Sequence, residues 1–180
     1  MSKVFERIIH YQLYDYLLEN RLLNTYQSGF RSMHSTTTAL LETTNNWSIN
    51  IDNGLLNGVL FIDLKKGFDT IDHEIILQKL VNYGVDPNAL RFFASYLCNR
   101  SQKCTVNRAL SSVSKLTCGV PQGSILIPLL FLIYINDLPN CLDIFCAKMF
   151  ADDTNITVPS CTFAKLEQAT NSNLPISIAG

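Results

Sequence analysis

An antiparallel sheet covered on one face by helices, an α+β fold, is the arrangement this chain predicts. Three observations lead there. Apolar positions recur at helical spacing in separate stretches. Two segments, around Asn107-Arg108 and Ala151-Asp152-Asp153, read as hairpins. The elements run helix, helix, strand, helix, helix, hairpin, helix, hairpin.

Taken in order, Val4, Phe5, Ile8, Ile9, Leu13, Tyr16 and Leu17 form an apolar stripe over residues 3–20. A loop from Asn24 to His34 follows, with Gly29 as its expected hinge. Ser35 caps a second helix over 35–51. Gly58-Val59-Leu60-Phe61-Ile62 is a short strand ending directly on Asp63. Asp72 caps a helix from His73 to about Val81, stopped by Asn82 and Gly84. His73 itself is expected to be a capping or surface residue. Asp86-Pro87 opens the next helix, which runs to Cys98, since proline is favoured at the first helical position. Residues 102–118 form the first hairpin, and the apolar run after Pro121-Gln122-Gly123 is a buried helix. Residues 144–150 and 154–158 are strands joined at Ala151-Asp152-Asp153. The tail from Cys161 starts helically and loses its pattern after Asn171.

The 180 residues suit one domain or one compact piece of a larger enzyme. Hydrophobic residues make up 47% and charged residues only 16%, with mean hydropathy +0.14. Such values imply a dense core or apolar surface meant for further parts. Net charge is −1 and the pI about 6.3. A strong electrostatic hold on nucleic acid, which needs clustered Lys and Arg, would therefore be supplied elsewhere. The six cysteines show no CxxC pair and no His at zinc-finger spacing. With no secretory segment, they read as reduced, mostly core residues of an intracellular protein, with nothing to choose between nucleus and cytoplasm. The apolar run Ile125–Ile135 is interrupted by Pro128 and is shorter than the ~20 residues of a membrane span. No membrane association is expected.

Three features carry chemistry. Asp63 follows an apolar strand, and Asp152-Asp153 stand at a hairpin tip. Strand-borne carboxylates repel one another unless a cation lies between them, and a hard, oxygen-seeking ion such as Mg2+ suits them. Two ions held so activate a hydroxyl and stabilise a leaving phosphate oxygen. Cys118-Gly119-Val120-Pro121-Gln122-Gly123-Ser124 precedes the buried helix. Its glycines permit close backbone approach, and the helix N-terminus favours an anion. Phe68, five residues beyond Asp63, could reject a sugar 2′-hydroxyl by collision. Singly, each has a plainer reading: turn aspartates, a loop with Ser124 as helix cap, and a core aromatic.

Together they are more specific. The succession FIDLKKGFDTIDH, GVPQGSILIPLLFLIYINDLP and MFADDT closely resembles motifs A, B and C of reverse transcriptases from non-LTR (LINE-like) retrotransposons. SKVFERIIHYQLYDYLLENRLLNTYQSGFRSMHST resembles the family's fingers-to-palm region, and LQKLVNYGVDPNALRFFASYLCNRSQ its connecting helices. The resemblance runs from about Ser2 to Val158. It implies a polymerase palm with partial fingers at the N-terminus: fingers and palm-proximal helices over about 1–56, the palm over about 57–160, and a divergent tail at 161–180. It implies RNA-directed DNA synthesis, with Asp63, Asp152 and Asp153 ligating two Mg2+ ions (Mn2+ as alternative). Phe68 would be the steric gate, Gln122 and Gly123 nucleotide contacts, and Arg31, within QSGFR, a template contact. RNA template, DNA primer and dNTPs would be the partners.

The chain departs from the family pattern at Lys65, at Gly67 where Ala is usual, and at Ile127 where Gly is usual. Filling a packed site at 127 would cost about 1–3 kcal/mol. Further fingers strands and a thumb would normally pack on this core, so the chain reads as a truncated copy with little activity of its own. A non-catalytic remnant that binds a nucleic acid or protein is the alternative. A metal-dependent nuclease or phosphatase ranks behind both, because His10, His34 and His73 lie far from the acidic motifs.

Overall fold

In chain order the elements are α1 (Lys3–Glu19), α2 (Thr36–Asp52), β1 (Leu56–Asp63), α3 (His73–Asn82), α4 (Pro87–Leu97), β2 (Arg100–Gln102), β3 (Thr105–Val106), β4 (Ala109–Leu110), β5 (Ser114–Leu116), α5 (Ile127–Ile135), β6 (Cys146–Phe150), β7 (Asp153–Ser160) and α6 (Phe163–Asn173), with a 3-10 turn at Leu138–Cys141. They come from a computed structural model, which describes residues 3–64, 66–98, 100–120, 123–141 and 146–173. The expected contact Gln122, with Pro121 and Lys65, lies outside the described residues, as does the start of the strand expected from 144.

By packing, the chain forms two units, each assembled from two stretches: Met1–Leu22 with Lys66–Tyr134, and Leu23–Lys65 with Ile135–Gly180. The first unit is mainly helical. Asp72 accepts hydrogen bonds from the amides of Glu74 and Ile75 and caps α3; Asp86 caps α4, with Pro87 in the first turn. The buried helix is as expected: Leu129, Leu130, Phe131, Leu132 and Ile133 are all buried. Pro128 falls in its first turn, where no intrahelical N–H is required. Ile127 starts this helix and is only 8% exposed, so its side chain is accommodated. In the expected hairpin, Asn107 and Arg108 both take positive φ (48° and 66°) between β3 and β4, and β2 pairs with β5. Two positive-φ residues suit the right-handed twist of a tight hairpin.

The second unit holds a three-stranded antiparallel sheet in the order β1-β7-β6. Register assigns its faces, because residues directly opposite point the same way. Ile156 and Val158 share one face with Leu60 and Ile62, where Leu166 and Ala169 of α6 cover them. Gly58 is on that face, and a Cβ there would lie 2.5 Å from Leu166 Cδ1. The other face carries Asp63, Phe61, Asp153, Asn155 and Thr157. Helix α2 crosses it, with Trp47 Nε1 donating to Thr157 Oγ1 at 2.8 Å and Lys148 paired with Glu42. Helices thus pack on both faces of the sheet, where one was expected. The sequence pattern shows which strand residues are apolar but not that Trp47 reaches a threonine 110 positions away. Ser35 caps α2 in a reciprocal capping box with Thr38.

Candidate active site

The β1–β7 ladder ends on a pair of carboxylates. Asp63 is the last residue of β1, Asp153 is the first of β7, and they are direct register partners. Both are exposed and share one face. Asp153 is therefore a strand residue, paired also with Phe150 of β6; the turn is shorter than expected and consists of Ala151 and Asp152 alone. Beside the pair, a groove of about 400 Å³ runs under α2, lined by Leu40, Thr43, Trp47, Phe61, Asp63 and Asp153. Among the described residues no three His, Cys, Asp or Glu side chains already converge as a metal centre. The facing carboxylates are nonetheless the donor chemistry a hard divalent ion takes, and half-buried Asp152 directly precedes Asp153 in the chain.

The Ala151-Asp152 turn is held from the side. Ala151 has φ 58°, a left-handed conformation that an alanine adopts only when its surroundings impose it. Gln27, 2% exposed, supplies much of that hold. Its Oε1 accepts from the amide of Ala151 (3.1 Å) and of Gly29 (2.7 Å), and its Nε2 donates to the Ala151 carbonyl (3.2 Å). The loop backbone adds a parallel bridge to β6: the Met149 amide donates to Tyr26 O and the Ser28 amide to Met149 O, each at 2.8 Å. Gly29, expected as a hinge, is instead a point of contact. A Cβ there would overlap the Ala151 amide nitrogen and lie 2.8 Å from Ala151 Cα.

Arg31, expected as a template contact, is half-buried and turned into its own loop. Its Nη1 donates to the carbonyls of Asn24 (2.9 Å) and Gln27 (3.1 Å). Phe68 belongs to the other unit, where its half-buried ring lies 4.4 Å from that of Phe131 in α5. Gly123, also in that unit, has φ 80° and open space where a Cβ would project, and its carbonyl accepts from Lys3 Nζ.

The loop before α5 is anchored at both ends within the first unit. His73, expected as a capping or surface residue, is only 6% exposed, and its Nε2 lies 2.6 Å from Gly119 O. Gly119 in turn donates to Ile71 O at 2.8 Å, and a Cβ on it would sit 2.7 Å from Asp69 O. At the other end, the anion expected before α5 is supplied by the chain itself. Glu6, 7% exposed, accepts from Ser124 Oγ and from the Ile125 amide, both at 2.9 Å, while Ser124 Oγ accepts from the Leu126 amide and from Tyr96 OH. Burial of the Tyr96 ring pushes its hydroxyl pKa up, which keeps it a donor. Neither Glu6 nor His73 announced itself in the sequence, since a lone Glu on an amphipathic helix normally faces water.

Comparison with known proteins decides the lineage. Residues 1–172 match the family described as reverse transcriptase (RNA-dependent DNA polymerase). The chain belongs to the reverse transcriptase family. Its curated relatives place this reverse transcriptase domain among those of non-LTR retrotransposons. It is 33% identical over 145 residues to a probable RNA-directed DNA polymerase from transposon BS of Drosophila melanogaster, covering 77% of this chain and 15% of that protein. It is 30% identical over 164 residues to the corresponding X-element protein of Drosophila melanogaster, covering 89% of this chain and 18% of that one. The polymerase of the mobile element jockey from Drosophila funebris is 29% identical over 140 residues, 78% of this chain and 15% of its own length. The chain thus spans less than a fifth of these relatives. Among solved structures, apo telomerase from Candida tropicalis superposes with TM-score 0.62 at 11% identity, over 92% of this chain and 35% of that one. Telomerase from Candida albicans gives 0.60 at 14%, over 81% and 28%. At such identities the agreement is one of fold, and the fold is that of a polymerase palm.

Proposed function

We propose that this domain is the nucleotidyl-transfer core of an RNA-directed DNA polymerase, in which Asp63, Asp152 and Asp153 hold Mg2+ (or Mn2+). In that reading a primer 3′-hydroxyl attacks the α-phosphate of a dNTP chosen by an RNA template. The observation that carries it is the Asp63–Asp153 pair at the strand ends, beside Asp152 on a fixed turn. Like charges directly opposite across a ladder destabilise it, and a divalent ion is the natural relief. When bound, such ions activate the attacking hydroxyl and stabilise charge on the leaving phosphate oxygen.

The protein's own part is positioning. Strands β1 and β7 fix two carboxylates by their pairing, and the Gln27 hydrogen bonds fix the turn that carries the third. Phe68 would exclude a 2′-hydroxyl, and Gln122 and Gly123 would meet the incoming nucleotide. With one nitrogen of Arg31 committed to loop carbonyls, any template phosphate would meet its remaining donors. The assignment of about 1–56 to fingers and palm-proximal helices, 57–160 to palm and 161–180 to a divergent tail belongs to the same proposal.

The test is primer extension on an RNA template with dNTPs and Mg2+, wild type beside Asp152→Asn. Because the chain covers under a fifth of its relatives, addition of a single nucleotide is the readout. Addition that Asp152→Asn loses supports the proposal. Equal behaviour of folded wild type and variant favours the non-catalytic remnant.

A further inference from the structure

We infer that Gln27 is a positioning residue for Asp152, acting through the backbone of Ala151; the inference rests on the reading of Asp152 as a metal ligand. A two-residue turn with a left-handed alanine at its first position does not set its own geometry. Three separate devices converge on it. The Gln27 amide engages both polar groups of Ala151, the N–H at 3.1 Å and the C=O at 3.2 Å. That carbonyl belongs to the peptide bond leading into Asp152, so fixing it fixes the plane from which the Asp152 side chain departs. Gly29 lets the loop backbone close on Ala151 with no room for a side chain. Arg31 donates to the carbonyls of Asn24 and Gln27 and keeps the loop closed behind the clamp.

The chemistry of the amide matters, not only its bulk. Gln27 must both accept and donate at one residue, and only a primary amide of this length does so without charge. Buried at 2% exposure, it has no water to take over either bond. A ligand misplaced by about 1 Å weakens a metal site severely, because binding depends on donors held in place. QSG in this chain therefore works on the catalytic turn from behind, rather than on a template.

The experiment compares Gln27→Met, which keeps length and loses the two bonds to Ala151 together with the one from Gly29, with wild type, Asp152→Asn and Thr170→Val. The last removes a hydrogen bond to Leu166 O within α6, on the opposite face of the same sheet. Two quantities are read on folded full chain: Mn2+ affinity by electron paramagnetic resonance, and hydrogen exchange of the Ala151 amide. The expected result is Mn2+ affinity at least ~10-fold weaker and Ala151 exchange at least ~10-fold faster in Gln27→Met, with neither changed in Thr170→Val. Wild-type affinity and exchange in folded Gln27→Met would overturn the inference. Should Gln27→Met fail to fold, the comparison moves to an Ala151→Gly background, where the left-handed residue carries no penalty. If wild type and Asp152→Asn bind Mn2+ alike, the metal reading of Asp152 fails by itself. Ala151 exchange then decides separately whether Gln27 holds the turn.

Discussion

Asp63 and Asp153 stand directly opposite one another at the end of the β1–β7 ladder. Without a cation the pair opposes folding. Asp153→Asn should therefore raise the stability of metal-free protein, by less than about 1 kcal/mol because both groups are exposed. The same variant should lose the stabilisation that Mn2+ gives wild type. Thermal melts with and without Mn2+ measure both, and a variant less stable than wild type in EDTA would contradict the repulsion.

Gly29→Ala should be among the most damaging single-methyl additions in the second unit. The new Cβ would overlap the Ala151 backbone, which has no flexible side chain to give way. A loss of about 3 kcal/mol is expected from overpacking of this kind, measured by urea unfolding. Gly54, with nothing within 4 Å of a built Cβ but a positive φ of 72°, is the contrasting site: Gly54→Ala adds backbone strain without a clash and should cost less.

Glu6→Ala should destabilise the first unit by about 1–3 kcal/mol, because the Ile125 amide and the Ser124 hydroxyl lose their acceptor. Glu6→Gln keeps an acceptor oxygen and should recover part of the loss. Equal stabilities for wild type and Glu6→Ala in urea titrations would mean that water replaces the carboxylate at no cost.

These predictions fall where sequence and structure part company. Helix starts were legible because Ser35, Asp72 and Asp86 carry local capping chemistry, and the α5 run was legible because a nonapolar position is nearly absent from it. Asp63 and Asp152-Asp153 could be chosen because apolar strand residues lead into them. That Asp153 rather than Asp152 opposes Asp63 could not be read, since register depends on where the turn begins, and Ala151 is not a residue that advertises positive φ. Gly29 looked like a hinge for a similar reason. A glycine permits motion and close contact alike, and only the neighbour distinguishes them. The roles of Gln27, Glu6 and His73 depend on partners distant in the chain.

Burial of His10, stacked on Tyr14, holds its pKa below the usual imidazole value, with Asp15 opposing the shift. A depressed histidine favours the folded state fully above its unfolded pKa of about 6.5, and that contribution fades as pH falls towards the folded value. His10→Phe, which keeps an aromatic ring against Tyr14, should show a smaller fall in melting temperature than wild type between about pH 7.5 and pH 5.5. A fall of the same size in both would assign the acid sensitivity to other groups.

Mn2+ titration of the folded chain, followed by electron paramagnetic resonance and repeated for Asp63→Asn and Asp152→Asn, addresses the three-aspartate centre most directly. Wild type should give a bound-ion signal that each substitution weakens by at least ~10-fold, a change of about 1.4 kcal/mol in binding. An ion bound equally well by wild type and both variants would contradict the three-aspartate centre.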